Sequence, residues 1–275
     1  MKLSEKPDNY RQWMGEGLVL YIFLIATAFL AVFIYVVFIV PTKWIKVEHM
    51  DYEIGLNKTI LQISDLHVDK LRVSASKLKK IIAECKPDYI MLTGDFTSND
   101  HYIPKLDKYL ETIASLCIPV YAVLGNHDYR LHSLQQAIEL LSRHQIQLLR
   151  NQSIDMGSFY LVGIDDDCSK HSNIDRAFAN VPKLDKPIVV ITHDPNVVLS
   201  IERPFQYFMA GHFHGKQFNI PFIFSIKPKG KLAEAGIYKG LHHCKQGPFY
   251  ISKGIGQAGI NARIGVRSEV TVHYL

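Results

Sequence analysis

Five short segments of this 275-residue chain place metal-binding side chains close behind apolar runs. They are Ser64-Asp65-Leu66-His67, Gly94-Asp95, Gly125-Asn126-His127-Asp128, Thr192-His193-Asp194 and Gly211-His212-Phe213-His214. Within them His67, His193, His212 and His214 offer four imidazoles, Asp65 and Asp95 two carboxylates, and Asn126 a carboxamide. That mixture of nitrogen and oxygen donors suits Mn, Fe or Zn better than Ca or Mg. The D-x-H and H-x-H spacings each put two donors on one side of an extended segment. Gly94, Gly125 and Gly211 let the backbone turn sharply and approach a metal closely. A lone histidine at a strand end is more often structural, and any one of these motifs arises by chance. Their succession in one chain makes a metal site the better reading.

The elements that must position these groups are legible from periodicity. Residues 59–64, 88–93, 119–124 and 187–192 read as buried strands, rich in Ile, Leu, Val or Tyr and bounded by Pro, Gly or Asp. Between them, Leu78/Ile81/Ile82/Cys85, Leu106/Tyr109/Leu110/Ile113 and Leu134/Ala137/Ile138/Leu141 follow the spacing of amphipathic helices. Strand alternating with helix predicts an α/β fold, whose ligand site lies outside the carboxyl ends of its strands. The polar segments fall there. Later strands are predicted at 158–163, 206–210, 248–252 and 269–274, in a more antiparallel arrangement that completes a second sheet.

The N-terminal region differs in kind. No charged side chain occurs from Gly17 to Thr42, and Leu18–Val40 is almost wholly apolar. At ~1.5 Å per residue such a run crosses a hydrocarbon core of ~30 Å. It is longer than the apolar part of a signal peptide and has no small-residue cleavage site, so an uncleaved single-pass anchor in the cell membrane is expected. Lys2, Lys6 and Arg11 precede it while Lys43, Lys46 and Lys58 follow, so charge does not choose the membrane face of the catalytic part. The four cysteines form no CxxC pair and read as free thiols, a lean toward the cytoplasmic side. The net charge of +5 is too small to indicate dedicated nucleic-acid binding.

From about residue 58 to the C-terminus the motifs resemble the calcineurin-like metallophosphoesterases. The similarity is strongest to a small bacterial branch with an N-terminal anchor or export signal, which includes hydrolases acting on UDP-diacylglucosamine. The resemblance implies two facing mixed β-sheets flanked by helices, a four-layer α/β sandwich preceded by one transmembrane helix. The implied organisation is a tail over 1–16, an anchor over 17–41, a linker and first strand over 42–57, and the metallophosphoesterase domain over 58–275. It further implies two divalent cations (Mn, Fe or Zn), one held by Asp65, His67 and His214, the other by Asn126, His193 and His212, with Asp95 bridging. His127 would then contact the phosphoryl group and protonate or stabilise the leaving oxygen, with Asp128 orienting it.

A water shared by cations ~3.5–4 Å apart would serve as nucleophile. This agrees with the lack of a nucleophile elbow, P-loop or Rossmann glycine pattern in the sequence. The expected activity is hydrolysis of phosphoester bonds, phosphodiester or pyrophosphate, in a phosphorylated small molecule or a lipid-linked, envelope-related substrate. A catalytically silent scaffold for protein binding is the alternative, and it predicts a damaged site. The branch usually has GHTHGGQ where this chain reads Gly211-His212-Phe213-His214-Gly215-Lys216-Gln217, so Lys216 adds a cation expected near the substrate.

Weaker features remain. Asp165, Asp166 and Asp167 are expected in an exposed turn. His242 and His243 read as surface or rim residues, and His49, His101, His132, His144, His171 and His273 have no expected role. Segment 218–247 combines Phe222, Ile223 and Phe224 with Lys227, Lys229, Lys231, Lys239 and Lys245; it reads as a solvated loop, with contact to anionic lipid as the second reading.

Overall fold

The computed structural model describes residues 8–182, 185–220 and 229–275. Helix α1 (Asp8–Ile34) runs through a π-helical turn at Tyr35–Ile39 into α2 (Val40–Lys43), so the helix extends past both ends of the expected 17–41 anchor. Every residue from 16 to 36 is exposed, so this is not the buried core helix of a soluble fold.

Twelve strands follow among the described residues: β1 (Lys46–Asp51), β2 (Thr59–Ile63), β3 (Tyr89–Thr93), β4 (Val120–Val123), β5 (Gln147–Leu148), β6 (Gln152–Asp155), β7 (Tyr160–Gly163), β8 (Ile188–Ile191), β9 (Tyr207–Ala210), β10 (Gly240–His243), β11 (Pro248–Ile251) and β12 (Glu269–Tyr274). They form two six-stranded sheets, ordered β1-β12-β2-β3-β4-β5 and β10-β11-β9-β8-β7-β6. The first is flanked by α3 (Ala75–Cys85), α4 (Ile103–Ala114) and α5 (Leu134–Arg143). The second carries α6 (Ile174–Phe178) and α7 (Lys231–Glu234).

Alternation along the strands divides the core. In β3, Ile90 and Leu92 join the layer beneath the helices while Met91 packs between the sheets, against Leu161, Val189 and Met209. With both faces covered, the strands read as continuous apolar runs. The helices turn their predicted faces inward: Leu78, Ile81 and Ile82, then Leu106, Tyr109, Leu110 and Ile113, are buried. Cys85, Cys117, Cys168 and Cys244 are free thiols.

The expectation of an antiparallel second half is corrected. β7, β8, β9 and β11 run parallel, and β12 leaves the second sheet altogether to pair in parallel with β1 and antiparallel with β2. The crossovers here are α6 and a 3-10 turn at Pro195–Ser200, too short for a helical period to be read. Parallel pairing therefore left little trace in the local pattern.

Buried polar groups tie the sheets together. His273 on β12 faces Tyr207 on β9, with Nδ1 2.9 Å from the phenol oxygen, while its Nε2 lies 3.1 Å from Oε1 of Gln62. Gln62 in turn donates to the Ala210 carbonyl at 2.9 Å, at the point where β9 opens into the site.

Candidate metal centre

Because β2, β3 and β4 are parallel neighbours, the loops at their carboxyl ends lie side by side. Main-chain bonds lock them: Asp65 N donates to Gly94 O at 3.0 Å, and His67 N to Asp95 O at 2.9 Å. From the second sheet, β8 and β9 deliver His193 and the Gly211–His214 turn, joined by Gly211 N to His193 O at 3.1 Å. A Cβ on Gly94 would lie 2.7 Å from the amide nitrogen of Gly125, and one on Gly211 would overlap Ser64 Oγ. Asp65, His67, Asp95, His212 and His214 all sit at positive φ, from 39° to 71°. Such conformations cost ~1–3 kcal/mol each and persist only where surrounding structure imposes them.

Two groups of donors result. Asp65, His67, Asp95 and His214 form one, Asp95, His193 and His212 the other, with donor atoms within 4.8 Å of one another in each. Asp95 belongs to both. Its Oδ2 lies 3.3 Å from His67 Nε2 and 3.2 Å from His193 Nε2, while His214 Nε2 is 3.3 Å from Asp65 Oδ1. All of these side chains are buried, as is Asn126.

The donors fit divalent cations. His67 Nε2, Asp95 Oδ2, Asn126 Oδ1 and both ring nitrogens of His214 are buried without a hydrogen-bond partner. Orphans of this kind are rare and cost ~1–3 kcal/mol each unless something occupies them. His193 Nδ1 donates to the Thr93 carbonyl at 2.8 Å, which turns Nε2 inward; against burial, the facing Asp95 carboxylate holds this ring well above the ordinary imidazole range, and a bound cation would displace the Nε2 proton. Burial alone would raise the Asp95 carboxyl, but His193 and His67 outweigh it and hold Asp95 well below the usual carboxylate range. Burial, reinforced by Lys229, drives His212 and His214 well below the ordinary imidazole range, leaving them neutral as ligands must be.

His127 stands at the rim of this cluster, its ring edge-on to that of His67 at 4.8 Å between centroids. Burial depresses it to about 4, against the attraction of Asp95. The expected partnership with Asp128 is corrected. Both Asp128 oxygens accept main-chain N–H groups, from Asp95, Phe96, Thr97 and Gly125 at 2.8–3.3 Å, so this carboxylate clamps two ligand loops together. The group at His127 Nδ1 is Ser98 Oγ, 2.8 Å away. Sequence reasoning missed Ser98, although its place three residues after Asp95 was a signal.

A cavity of about 900 Å³ opens beside the cluster, lined among others by Asn126, His127, Arg130, His212, Lys229 and Lys231. Lys216 is not among its lining residues; its ammonium lies 4.0 Å over the Tyr238 ring, a cation–π contact. Lys229 does line the cavity and donates to the His212 carbonyl at 2.9 Å.

The acidic run is also corrected: Asp165 and Asp166 are buried. Asp165 accepts from Tyr129 at 2.6 Å and from Arg150 at 3.0 Å, partners far away in sequence. His242 and His243 fall on edge strand β10. Of the proposed lipid-contacting segment, Phe222, Ile223, Phe224 and Lys227 lie outside the described residues.

Comparison with known proteins places this arrangement. The family model for calcineurin-like phosphoesterases matches residues 58–224. The chain is 36% identical over 265 residues to the uncharacterized metallophosphoesterase YkoQ of Bacillus subtilis (strain 168), covering 90% of this chain and 97% of that protein. It is 28% identical over 276 residues to the transmembrane protein with metallophosphoesterase domain of Danio rerio, covering 90% of this chain and 60% of that one. It is 25% identical over 216 residues to the UDP-2,3-diacylglucosamine pyrophosphatase LpxG of Chlamydia trachomatis, covering 59% and 65% respectively.

Proposed function

Because the chain belongs to the calcineurin-like phosphoesterase family and is a metal-dependent phosphoester hydrolase, we propose that it cleaves phosphodiester or pyrophosphate bonds of a lipid-linked substrate at the membrane. In this reading Asp65, His67 and His214 hold one cation, Asn126, His193 and His212 the second, and Asp95 both. The observation that carries it is the position of Asp95 Oδ2, buried without a hydrogen-bond partner and 3.2–3.3 Å from one imidazole of each donor group. Cations so held supply Lewis acidity, lowering the pKa of a water and neutralising phosphoryl oxygens.

The chain's own residues do the rest. Ser98 engages Nδ1 of His127, which leaves the Nε2–H of that neutral ring to donate a hydrogen bond to the leaving oxygen. Arg130, Lys229 and Lys231 line the cavity and supply charge for a second phosphate, as a pyrophosphate requires. A lipid-linked substrate is supported by the apolar helix ending at Lys43 and by the relative named for a diacylated nucleotide sugar.

The test is hydrolysis of bis-p-nitrophenyl phosphate by the full chain in detergent micelles, with and without manganese, beside Asp95→Asn. Manganese-dependent turnover that disappears in the variant is the expected result. A folded, metal-loaded chain without turnover would instead favour the silent scaffold.

A further inference from the structure

The N-terminal helix is bolted to the domain at its exit. Residues 16–36 are exposed, residues 37–41 are half-buried, and Thr42 is buried. Over this turn Arg263 N donates to Phe38 O at 3.0 Å and Ser268 N to Pro41 O at 3.0 Å, while the Arg267 guanidinium donates to the Trp44 and Ile45 carbonyls at 3.1 Å each. The Pro41 carbonyl is one of those that a helix end leaves open, and the Trp44 and Ile45 carbonyls follow directly after it. The buried guanidinium of Arg263 donates to the carbonyls of Lys253, Gly254 and Gly256. In the same loop Ile255 N reaches Ser64 O at 2.9 Å and Gly256 N reaches Asp65 O at 2.8 Å. One loop, 253–268, therefore joins the helix exit to the Asp65 ligand loop.

The exposed stretch from Gly17 to Val36 has 20 residues. At ~1.5 Å per residue it measures ~30 Å, the thickness of a hydrocarbon core. The contact at Phe38 then falls at the head-group boundary. Apolar side chains cluster in sequence and bonding around that contact: Ile260, three residues before Arg263, is 70% exposed, and Trp44 at the helix exit is 60% exposed. Ile220, also exposed, follows Asn219, whose amide donates to Ile264 at 2.9 Å. Ala258 and Gly259, immediately before Ile260, line the cavity, whose wall also holds the exposed Leu199.

We propose that the loop 258–264 rests in the head-group layer beside the helix, so that the cavity opens onto the bilayer surface and takes phosphoesters whose apolar chains stay in the membrane. The chemistry of this inference rests on the hydrolase reading above; the membrane contact rests on the geometry of the helix exit. Ile260 is the side chain that separates this arrangement from a domain held clear of the lipid.

The experiment uses the full chain in phosphatidylcholine nanodiscs. An environment-sensitive dye is placed on Ile260→Cys with all four native cysteines changed to Ser, and in a companion on native Cys117, which is exposed and precedes β4 at the end opposite the site. The dye at 260 is expected to emit to the blue of that at 117 and to be quenched by lipids spin-labelled near the head group. Equal emission and no quenching would overturn the membrane contact. In the same discs, Ile260→Asp is compared with the unaltered chain on dioleoylphosphatidyl p-nitrophenol and on soluble bis-p-nitrophenyl phosphate. Turnover of the embedded ester is expected to fall roughly tenfold, because a carboxylate resists the acyl boundary, with the soluble diester unchanged. Equal rates on the embedded ester would overturn access from the bilayer. If the unaltered chain cleaves neither ester, the hydrolase reading fails, and the dye alone decides the membrane contact.

Discussion

The hydroxyl of Ser98 lies 2.8 Å from Nδ1 of His127, with Nδ1 of His67 3.3 Å away on its other side. A hydroxyl has one proton to give, so one ring donates to Ser98 and the other accepts from it; if His67 Nε2 holds a cation as proposed, His67 Nδ1–H donates to Ser98 Oγ and Ser98 O–H donates to His127 Nδ1. That arrangement turns the Nε2 lone pair of His67 inward toward Asp95 and leaves a proton on Nε2 of His127. One serine thus couples the tautomers of both rings, which in the proposed reading hold a cation and face the leaving oxygen.

Removing that hydroxyl should slow chemistry more than it weakens folding. Ser98→Ala is expected to lower kcat roughly tenfold on an alkyl phosphodiester, and His127→Ala roughly a hundredfold or more, with smaller losses on p-nitrophenyl esters, whose leaving oxygen gathers less charge. A leaving-group series with metal content measured alongside checks this. Equal losses on activated and unactivated esters would remove His127 from the role of stabilising the leaving oxygen.

Asp128 should matter to stability before activity. An amide in its place has one acceptor oxygen and an NH2 group that would face main-chain donors. Asp128→Asn is expected to cost ~2–4 kcal/mol in denaturant unfolding. A variant of unchanged midpoint would mean the four amides find other partners.

Gly211 has no room for a side chain. Gly211→Ala drives a methyl group into Ser64 Oγ and the Asp65 carboxylate, and overpacking of this kind costs ~1–3 kcal/mol. Calorimetry should show a lowered Tm, and manganese titration weakened binding. Unchanged metal affinity would show that Asp65 can yield without leaving its position.

His273 predicts an acid limb in stability. Burial depresses it from 6.5 to about 3 in the folded chain, so between these values the unfolded state binds a proton that the folded state refuses. Stability therefore falls as pH drops from about 6.5 toward 3, by up to ~1.4 kcal/mol for each pH unit from this group alone. His273→Gln, which can still bond Tyr207, should flatten that limb in denaturant titrations at pH 7 and pH 5. A limb of the same slope in the variant would assign it to other groups.

Removing the metals should loosen the cluster. With cations absent, Asp95 Oδ2 and His214 keep unpaired polar atoms in a dry interior, so a chelator is expected to lower Tm by several degrees and manganese to restore it. A Tm indifferent to both would argue that the donors pair among themselves.

The strands at 59–64, 88–93 and 119–124 and the three amphipathic helices were readable because each carries its own period and its burial obeys that period locally. The same holds for the donor set: Asp65, His67, Asp95, Asn126, His193, His212 and His214 each follow an apolar run, and their chemical types are a property of the chain alone. What the sequence could not express was pairing. β12 joins β1 and β2 rather than its sequence neighbours, Asp165 is buried by Tyr129 and Arg150, and Lys216 turns to Tyr238 while Lys229 enters the cavity. The positive φ angles that aim Asp65, Asp95 and His212 are likewise imposed by close backbone contact between loops from both sheets. Local periodicity and residue chemistry are encoded at a spacing of a few residues. Which donors meet, and which carboxylate lies between them, depends on hydrogen bonds formed across a hundred residues or more, such as that of the His193 ring with the Thr93 carbonyl and the main-chain bond of Ile255 with Ser64, and only the folded chain makes those.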